Sequence, residues 1–185
     1  MEALQDRVAA LEKAAQSAAL YDTVERAALS GDLALLDRSV NDIEEKFSST
    51  TYAQQAALLA ARVYNDKDRK ADAKKQLIWV IDQASDEGYQ TLARLRLAAL
   101  LVEDKAYDEA RKHLTAKTPE AFAPLMADRL GDLAMLQAQP AEAVQHYKNA
   151  WKGFEPNAEY RRLVAVKLAA LGADPEDPAA VESKK

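Results

Sequence analysis

The sequence contains no cysteine among its 185 residues. Disulfide bonds, thiolate catalysis and cysteine-based zinc sites are therefore excluded, and the redox compartment stays open. Glycine and proline are also scarce, at five and six residues, while 49% of the chain is hydrophobic and 30% is charged. This composition is typical of a packed helical protein, and the length suits one domain. We predict an all-α fold.

Long hydrophobic runs are missing as well. No stretch reaches the about 18 to 20 uninterrupted apolar residues that span a bilayer, and residues 1–17 carry five charged side chains, unlike a signal peptide. The net charge is −5 and the pI is near 5.2, without a cluster of lysine and arginine. We therefore expect the chain as given to be soluble and to bind no nucleic acid.

A repeat is present in the spacing of small residues. Four positions share one register, at intervals of 37, 37 and 33 residues: Leu36, Ala73, Ala110 and Ala143. Twelve residues before each of them stand Val24, Ala61, Ala98 and Gly131. A period near 34 is the signature of stacked helical hairpins. The pattern is that of the tetratricopeptide repeat, and it predicts a solenoid of about four hairpins.

The small side chains are predicted to lie where helices contact each other. Gly131 and Ala143 allow the two helices of one hairpin to touch, and Ala150 allows the next hairpin to pack onto it. Helix breaks are expected at residues 30–32, 65–68, 104–105 and 139. A C-terminal capping helix is predicted over residues 157–171, with one apolar face formed by Tyr160, Leu163, Val164, Leu168 and Leu171.

Three segments follow from this organisation. They are an N-terminal helical extension over 1–17, a repeat domain over 18–172 and a disordered tail over 173–185. The extension carries apolar residues at spacings of four and three: Leu4, Val8, Leu11, Ala15 and Ala18. Such spacing permits a coiled coil, but two heptads are too few for a stable free zipper. We expect the extension to continue the first repeat helix and dock on its own domain, as part of a monomer.

No converging set of nucleophile, base or metal ligands is found, so we predict no enzyme, no cofactor and no metal. His113 and His146 lie on different repeats without a metal-binding spacing. The loop at 65–72 resembles a cation site in composition, but it lacks the glycine and distal glutamate of a calcium loop. Trp79 and Trp151 are expected to fill space between hairpins, with ligand stacking as the alternative.

The first helix of each hairpin lines the concave face of a repeat solenoid. A mixed apolar and charged face of this kind can hold a peptide, although its apolar members could also be buried between helices. The candidate protein-binding residues are Tyr21, Glu25, Leu58, Arg62, Asn65, Leu95, Ala99, Val102, Asp128, Asp132 and Met135.

Three stretches carry a more specific resemblance. They are "TYAQQAALLAARVYNDKDRKADAKKQL", "LARLRLAALLVEDKAYDEARKHL" and "ADRLGDLAMLQAQPAEAVQHYKNAW". Over residues 18–172 the chain resembles the YfgM-type ancillary SecYEG translocon subunit family. The resemblance rests on Tyr-Ala near residue 52, on Arg94 to Ala98, and on Asp128 to Asp132.

That resemblance implies a bacterial inner-membrane protein with one N-terminal membrane anchor and a periplasmic repeat domain. Its implied partners are translocon subunits, a periplasmic chaperone resembling a prolyl isomerase, and exported chains. The sequence departs from the family at its start, where the heptad-like segment stands close to where the anchor would lie. The alternative is a generic tetratricopeptide scaffold, such as a regulator-binding protein of the cytoplasm or an assembly factor of the cell envelope.

Overall fold

The computed structural model describes residues 2–176, and their side chains from residue 4 onward. Within this range it contains nine α-helices and one 3-10 turn, at Glu120–Phe122, and no strand. The helices are α1 Glu2–Ser30, α2 Leu33–Phe47, α3 Thr51–Asp66, α4 Lys70–Gln83, α5 Glu87–Glu103, α6 Tyr107–Leu114, α7 Ala123–Leu136, α8 Pro140–Gly153 and α9 Glu159–Ala170. The predicted all-α class is confirmed.

The chain divides into two compact units between Leu100 and Leu101, inside α5. In the first unit α1 packs on α2 and α3, and α3 packs on α2 and α4. In the second unit α7 packs on α6 and α8, and α8 packs on α9. None of the helices described between residues 2 and 176 is long and apolar enough to cross a membrane.

The four hairpin turns share one backbone conformation. Each contains a residue with positive φ, at intervals of 37, 37 and 33 residues: Gly31, Asp68, Lys105 and Ala138, with φ of 72°, 59°, 60° and 57°. The next residue then donates its backbone N–H to the carbonyl five residues earlier, over 2.7 to 3.1 Å. This is the Schellman ending of a helix. The predicted helix breaks are confirmed, and the repeat extends to the geometry of its turns.

The first unit is tied together by a polar contact among three elements. Asp37 on α2 accepts a hydrogen bond of 2.7 Å from the Tyr64 hydroxyl on α3. The same carboxylate pairs with Arg69, which precedes α4, at 3.0 Å. The Arg69 guanidinium also lies 4.5 Å from the centre of the Tyr64 ring. One carboxylate therefore fixes the positions of three successive elements.

The small residues lie where helices meet, as predicted. A Cβ atom on Gly131 would overlap the Tyr147 ring of α8, so α7 and α8 could not approach as they do with any larger residue. Ala143 and Ala150 are both fully buried. Both belong to the hydrophobic cluster that also contains Val164 and Leu168 of α9. Small side chains are therefore required on both sides of α8.

The capping helix is present, but one part of its predicted face is wrong. Val164 and Leu168 are fully buried, whereas Leu163 is 47% exposed. The helix is rotated so that Val164, rather than its neighbour, meets α8. Tyr160 and Leu171 are partly buried against the same cluster, as expected.

The N-terminal end of the chain differs from the prediction. Helix α1 runs through the predicted boundary at residue 17 without a break, so the extension does continue the first repeat helix. Residues 4–16 are nevertheless exposed, so the expected docking of this segment on its own domain is limited to its C-terminal end, where Lys13 contacts Ser49 and Ser17 is buried. Of the predicted tail, residues 177–185 lie outside the described part of the chain.

Candidate protein-binding site

A surface pocket of about 290 Å³ lies in the first unit. Its walls come from α1, α3 and α5, which are the first helices of successive hairpins. These are the helices on which the sequence predicted a binding face. The lining residues are Tyr21, Gln55, Leu58, Leu59, Arg62 and Arg96. Three of them, Tyr21, Leu58 and Arg62, were predicted from the sequence.

The apolar side of the pocket is shallow. Leu58 is only 6% exposed, so it packs mainly inside the unit and offers little surface to a partner. Leu59 and Tyr21 are half-buried and therefore present more of their apolar surface. The Tyr21 ring stands against Tyr52, with the ring centres 5.7 Å apart. This leaves an apolar patch suited to a single aliphatic side chain.

The α1 wall also carries a polar pair. Burial, followed by the charge of Glu25 one turn later on the same helix, raises the pKa of Tyr21. Tyr21 therefore stays a neutral donor at physiological pH. Nearby, Gln55 Nε2 donates a hydrogen bond of 2.9 Å to the Tyr89 hydroxyl, which links α3 with α5.

The opposite side of the pocket is cationic. Arg96 Nη1 donates a hydrogen bond of 3.2 Å to the Leu58 carbonyl, which holds the guanidinium against α3. Desolvation, and then the like charge of Arg62, lower the pKa of Arg96. Arginine nevertheless remains protonated in proteins. Neither guanidinium has a carboxylate within 4.0 Å among residues 4–176, so two positive charges stand side by side without neutralisation.

Arg96 was not among the predicted site residues, although the repeat spacing could have identified it. Arg96 stands 37 residues after Leu59 and therefore occupies the same position of the repeat. The sequence prediction followed the neighbouring row, which contains Leu58 and Leu95. In the structure Leu95 and Asn65 are half-buried and Ala99 is exposed, and all three lie outside the lining of the pocket.

In the second unit the predicted residues are placed differently. Val102 is half-buried on α5, and Met135 is 40% exposed on α7. Asp128, in contrast, is completely buried. It accepts hydrogen bonds from Lys167 Nζ at 2.7 Å and from the Tyr160 hydroxyl at 2.9 Å. A partner cannot reach this carboxylate, so we correct the candidate surface by removing Asp128.

Asp132 belongs to the same polar cluster. Its Oδ1 accepts from the Tyr147 hydroxyl and from Lys167 Nζ, both at 2.7 Å. Burial and the hydrogen bond to Asp128 raise the pKa of Tyr160 to about 12. Burial and the hydrogen bond to Asp132 likewise raise the pKa of Tyr147. The hydroxyls therefore stay protonated and donate, and the cluster joins α7, α8 and α9.

The tryptophans and one histidine that the sequence singled out can also be placed in the structure. Trp151 packs against the cluster of α8 and α9, and the Arg161 guanidinium lies 3.8 Å from its ring centre. Trp79 is half-buried on α4. His146 pairs with Glu142 one turn earlier on the same helix, at 3.3 Å. Within the part of the chain that the structure describes, no three histidine, aspartate or glutamate side chains converge as metal ligands would.

Comparison with known proteins agrees with this architecture. The chain is 29% identical over 167 residues to a Neisseria gonorrhoeae protein named ancillary SecYEG translocon subunit, which covers 90% of this chain and 79% of that protein. It is 31% identical over 111 residues to an Escherichia coli protein of the same name, which covers 58% of this chain. The second alignment spans about half of the E. coli protein, 52% of its length.

A broader match covers nearly the whole repeat region. Residues 7–173 match the family described as tetratricopeptide repeat-like domain. The match includes all four hairpins and the capping helix, and it ends three residues after α9. The resemblance noted from sequence motifs is thereby confirmed, and this chain belongs to the tetratricopeptide repeat-like domain family.

Proposed function

We propose that this chain is a non-catalytic protein-interaction module that acts beside the Sec translocon and connects it with periplasmic chaperones that receive exported chains. The observation that carries the proposal is the similarity over 90% of the chain to a protein named ancillary SecYEG translocon subunit. Under this proposal the repeat domain lies in the periplasm, at the inner membrane. Its partners are translocon subunits, a chaperone and exported chains.

The pocket of the first unit is the proposed contact surface. Leu59 and Tyr21 offer apolar contact, and Arg62 and Arg96 offer two unneutralised charges on the other side. A segment with an aliphatic side chain next to a carboxylate would satisfy both. Because the pocket is shallow, we expect transient binding, with a dissociation constant of about 1 μM.

Crosslinking tests the surface directly. A photoreactive amino acid at Leu59 or Arg62 should capture a translocon subunit, a periplasmic chaperone domain or an exporting chain in membranes that contain them. Matched probes belong at Lys75 and Lys112, which are exposed on α4 and α6. Equal capture by both sets of probes would contradict the assignment of the pocket. Capture of cytoplasmic proteins alone would instead favour a generic scaffold.

Charge reversal tests the role of the guanidinium groups. Arg62→Glu combined with Arg96→Glu should weaken partner binding by about tenfold or more, because one good charge-assisted contact is worth at least 1.4 kcal/mol. The matched variant combines Arg38→Glu with Lys112→Glu, two exposed positions, and it changes the net charge equally. If both double variants lose affinity to the same extent, only overall charge matters and the pocket is not the site. Circular dichroism should show that both variants remain helical.

A further inference from the structure

The N-terminal part of α1 presents an apolar seam to solvent. Leu4, Val8 and Leu11 are 69%, 46% and 71% exposed, and Ala15 is exposed as well. These residues, with Ala18, recur at intervals of four and three, so they form one stripe along the helix. A stripe of large apolar side chains in water is a typical interaction surface.

The seam points away from the repeat domain. On the domain side of α1, Lys13 Nζ donates a hydrogen bond of 3.0 Å to Ser49 Oγ, just before α3. Ser17 lies on that same side and is completely buried. At 3.6 residues per turn, both positions lie on the helix face opposite Leu11 and Ala15. The domain therefore leaves the seam accessible.

The residue types within the seam indicate which partner it binds. In a heptad abcdefg, Val8 falls at a, and Leu4 and Leu11 fall at d. A β-branched residue at a with leucine at d favours two parallel strands. The flanking charges agree, because Arg7 falls at g and Glu12 at the following e. In a parallel pair these two positions face each other across the seam, so Arg7 of each copy would meet Glu12 of the other.

The seam ends at Ala18. The next a and d positions are occupied by Asp22 and Glu25. In a symmetric pair each of these carboxylates would face the same carboxylate of the other copy, and like charges repel. A two-heptad zipper is marginal as an isolated peptide because helix nucleation is costly. Here residues 4–18 belong to a 29-residue helix whose C-terminal half is packed on the domain, so part of that cost is already met.

We infer that α1 forms a parallel two-stranded coiled coil with a second copy of this chain through residues 4–18. The sequence predicted a monomer in which the repeat domain covers this seam. In the structure the seam is exposed instead, and the charge pattern fits a second copy.

Sedimentation of the full chain tests the association. The weight-average mass should rise with concentration toward that of a dimer, and Leu11→Asp should return it to the monomer. Ala10→Asp is the matched control, because it adds the same charge at an exposed position beside the seam. A chain that stays monomeric up to its solubility limit overturns the proposal and leaves the seam to a different protein. A dimer that persists in Leu11→Asp places the contact elsewhere and also overturns it.

The absence of cysteine allows a second test. Leu11→Cys should form a disulfide between copies on oxidation, since equivalent d positions meet in a parallel pair, whereas Asp6→Cys at the outward f position should not. Arg7→Glu or Glu12→Arg alone should weaken the dimer, and the two combined should restore it. In an antiparallel pair g positions face g positions and e positions face e positions, so Arg7 would not meet Glu12 and the double variant would show no such restoration. Equal disulfide yields at residues 6 and 11 would exclude the zipper.

Discussion

Lys167 Nζ lies 2.7 Å from Asp128 Oδ1, and this aspartate is completely enclosed. The two residues are 39 positions apart, on α9 and α7. A buried carboxylate is costly unless it is paired and hydrogen-bonded, and Lys167 supplies the nearest positive charge. The C-terminal helix is therefore held by an ion pair as well as by its apolar face.

Replacement of Lys167 by methionine should destabilise the second unit by about 3 kcal/mol, because it leaves Asp128 buried without its ammonium partner. Tyr160 would retain its hydrogen bond, and the Arg129 guanidinium, 3.8 Å from the same carboxylate, would remain nearby, so both limit the loss. Urea denaturation followed by circular dichroism measures the change. Lys152→Met, at an exposed position of α8, is the control and should shift the midpoint little. Equal midpoints for the two variants would show that the pair is dispensable.

The contact between α7 and α8 predicts the effect of added volume. Ala143 is fully buried, so Ala143→Leu should overpack the crossing and cost about 1 to 3 kcal/mol. Ala141→Leu introduces the same side chain at an exposed position of the same helix. Thermal unfolding should therefore separate the two variants. An Ala143→Leu protein as stable as the control would disprove the predicted register.

The hairpin turns predict opposite effects for opposite substitutions at equivalent positions. Ala138 has a φ of 57°, a left-handed conformation that costs a residue with a Cβ about 1 kcal/mol. Ala138→Gly should therefore stabilise the protein by up to about 1 kcal/mol, and Gly31→Ala should destabilise it by a similar amount. Changes of the same sign in chemical denaturation would contradict this account.

Glu44 predicts a dependence of stability on pH. Burial raises its pKa to about 7, despite the charge of Lys75 and a hydrogen bond from Gln76. One carboxylate oxygen, Oε1, is buried without a hydrogen-bond partner within residues 4–176. The folded state therefore favours the protonated form. Its contribution to stability is complete below pH of about 4.5 and is lost as the pH rises through about 7.

Glu44→Gln should remove this loss. The variant should gain about 1 to 2 kcal/mol over the wild type at pH 8, a value reduced for partial exposure of the side chain, and nothing at pH 4. Denaturant midpoints across this pH range measure the difference. Glu45→Gln, at an exposed neighbouring position, is the matched control. A constant difference at all pH values would exclude titration of Glu44 as the cause.

The sequence predicted those parts of the fold that have a local cause. Gly131 and Ala143 reveal a helix crossing because side-chain size directly limits how closely helices approach. The turns were located by their polar residues, but their shared left-handed conformation was not. Three of its four positions carry Asp68, Lys105 and Ala138, and of these residue types only aspartate is enriched at positive φ.

The candidate site was predictable only at the level of helices. A period near 34 places the first helices of successive hairpins on one face, and the pocket does lie there. The rotation of each helix about its axis decides whether Leu95 or Arg96 lines the pocket. The repeat period alone does not distinguish between two adjacent residues of a helix. Asp128 was misplaced because its partner Lys167 lies far along the chain. The apolar stripe of α1 identified a face, but not whether the domain covers it.

The continuity of α1 also has a metric consequence. With a rise of about 1.5 Å per residue, Leu4 stands about 20 Å along the helix axis from Ser17, where burial in the first unit begins. A fluorophore or spin label attached near Leu4 would therefore be held at a defined distance from that unit. Because the helix is continuous, the label would rotate together with the first unit. Orientation measurements on the label would therefore report the orientation of that unit.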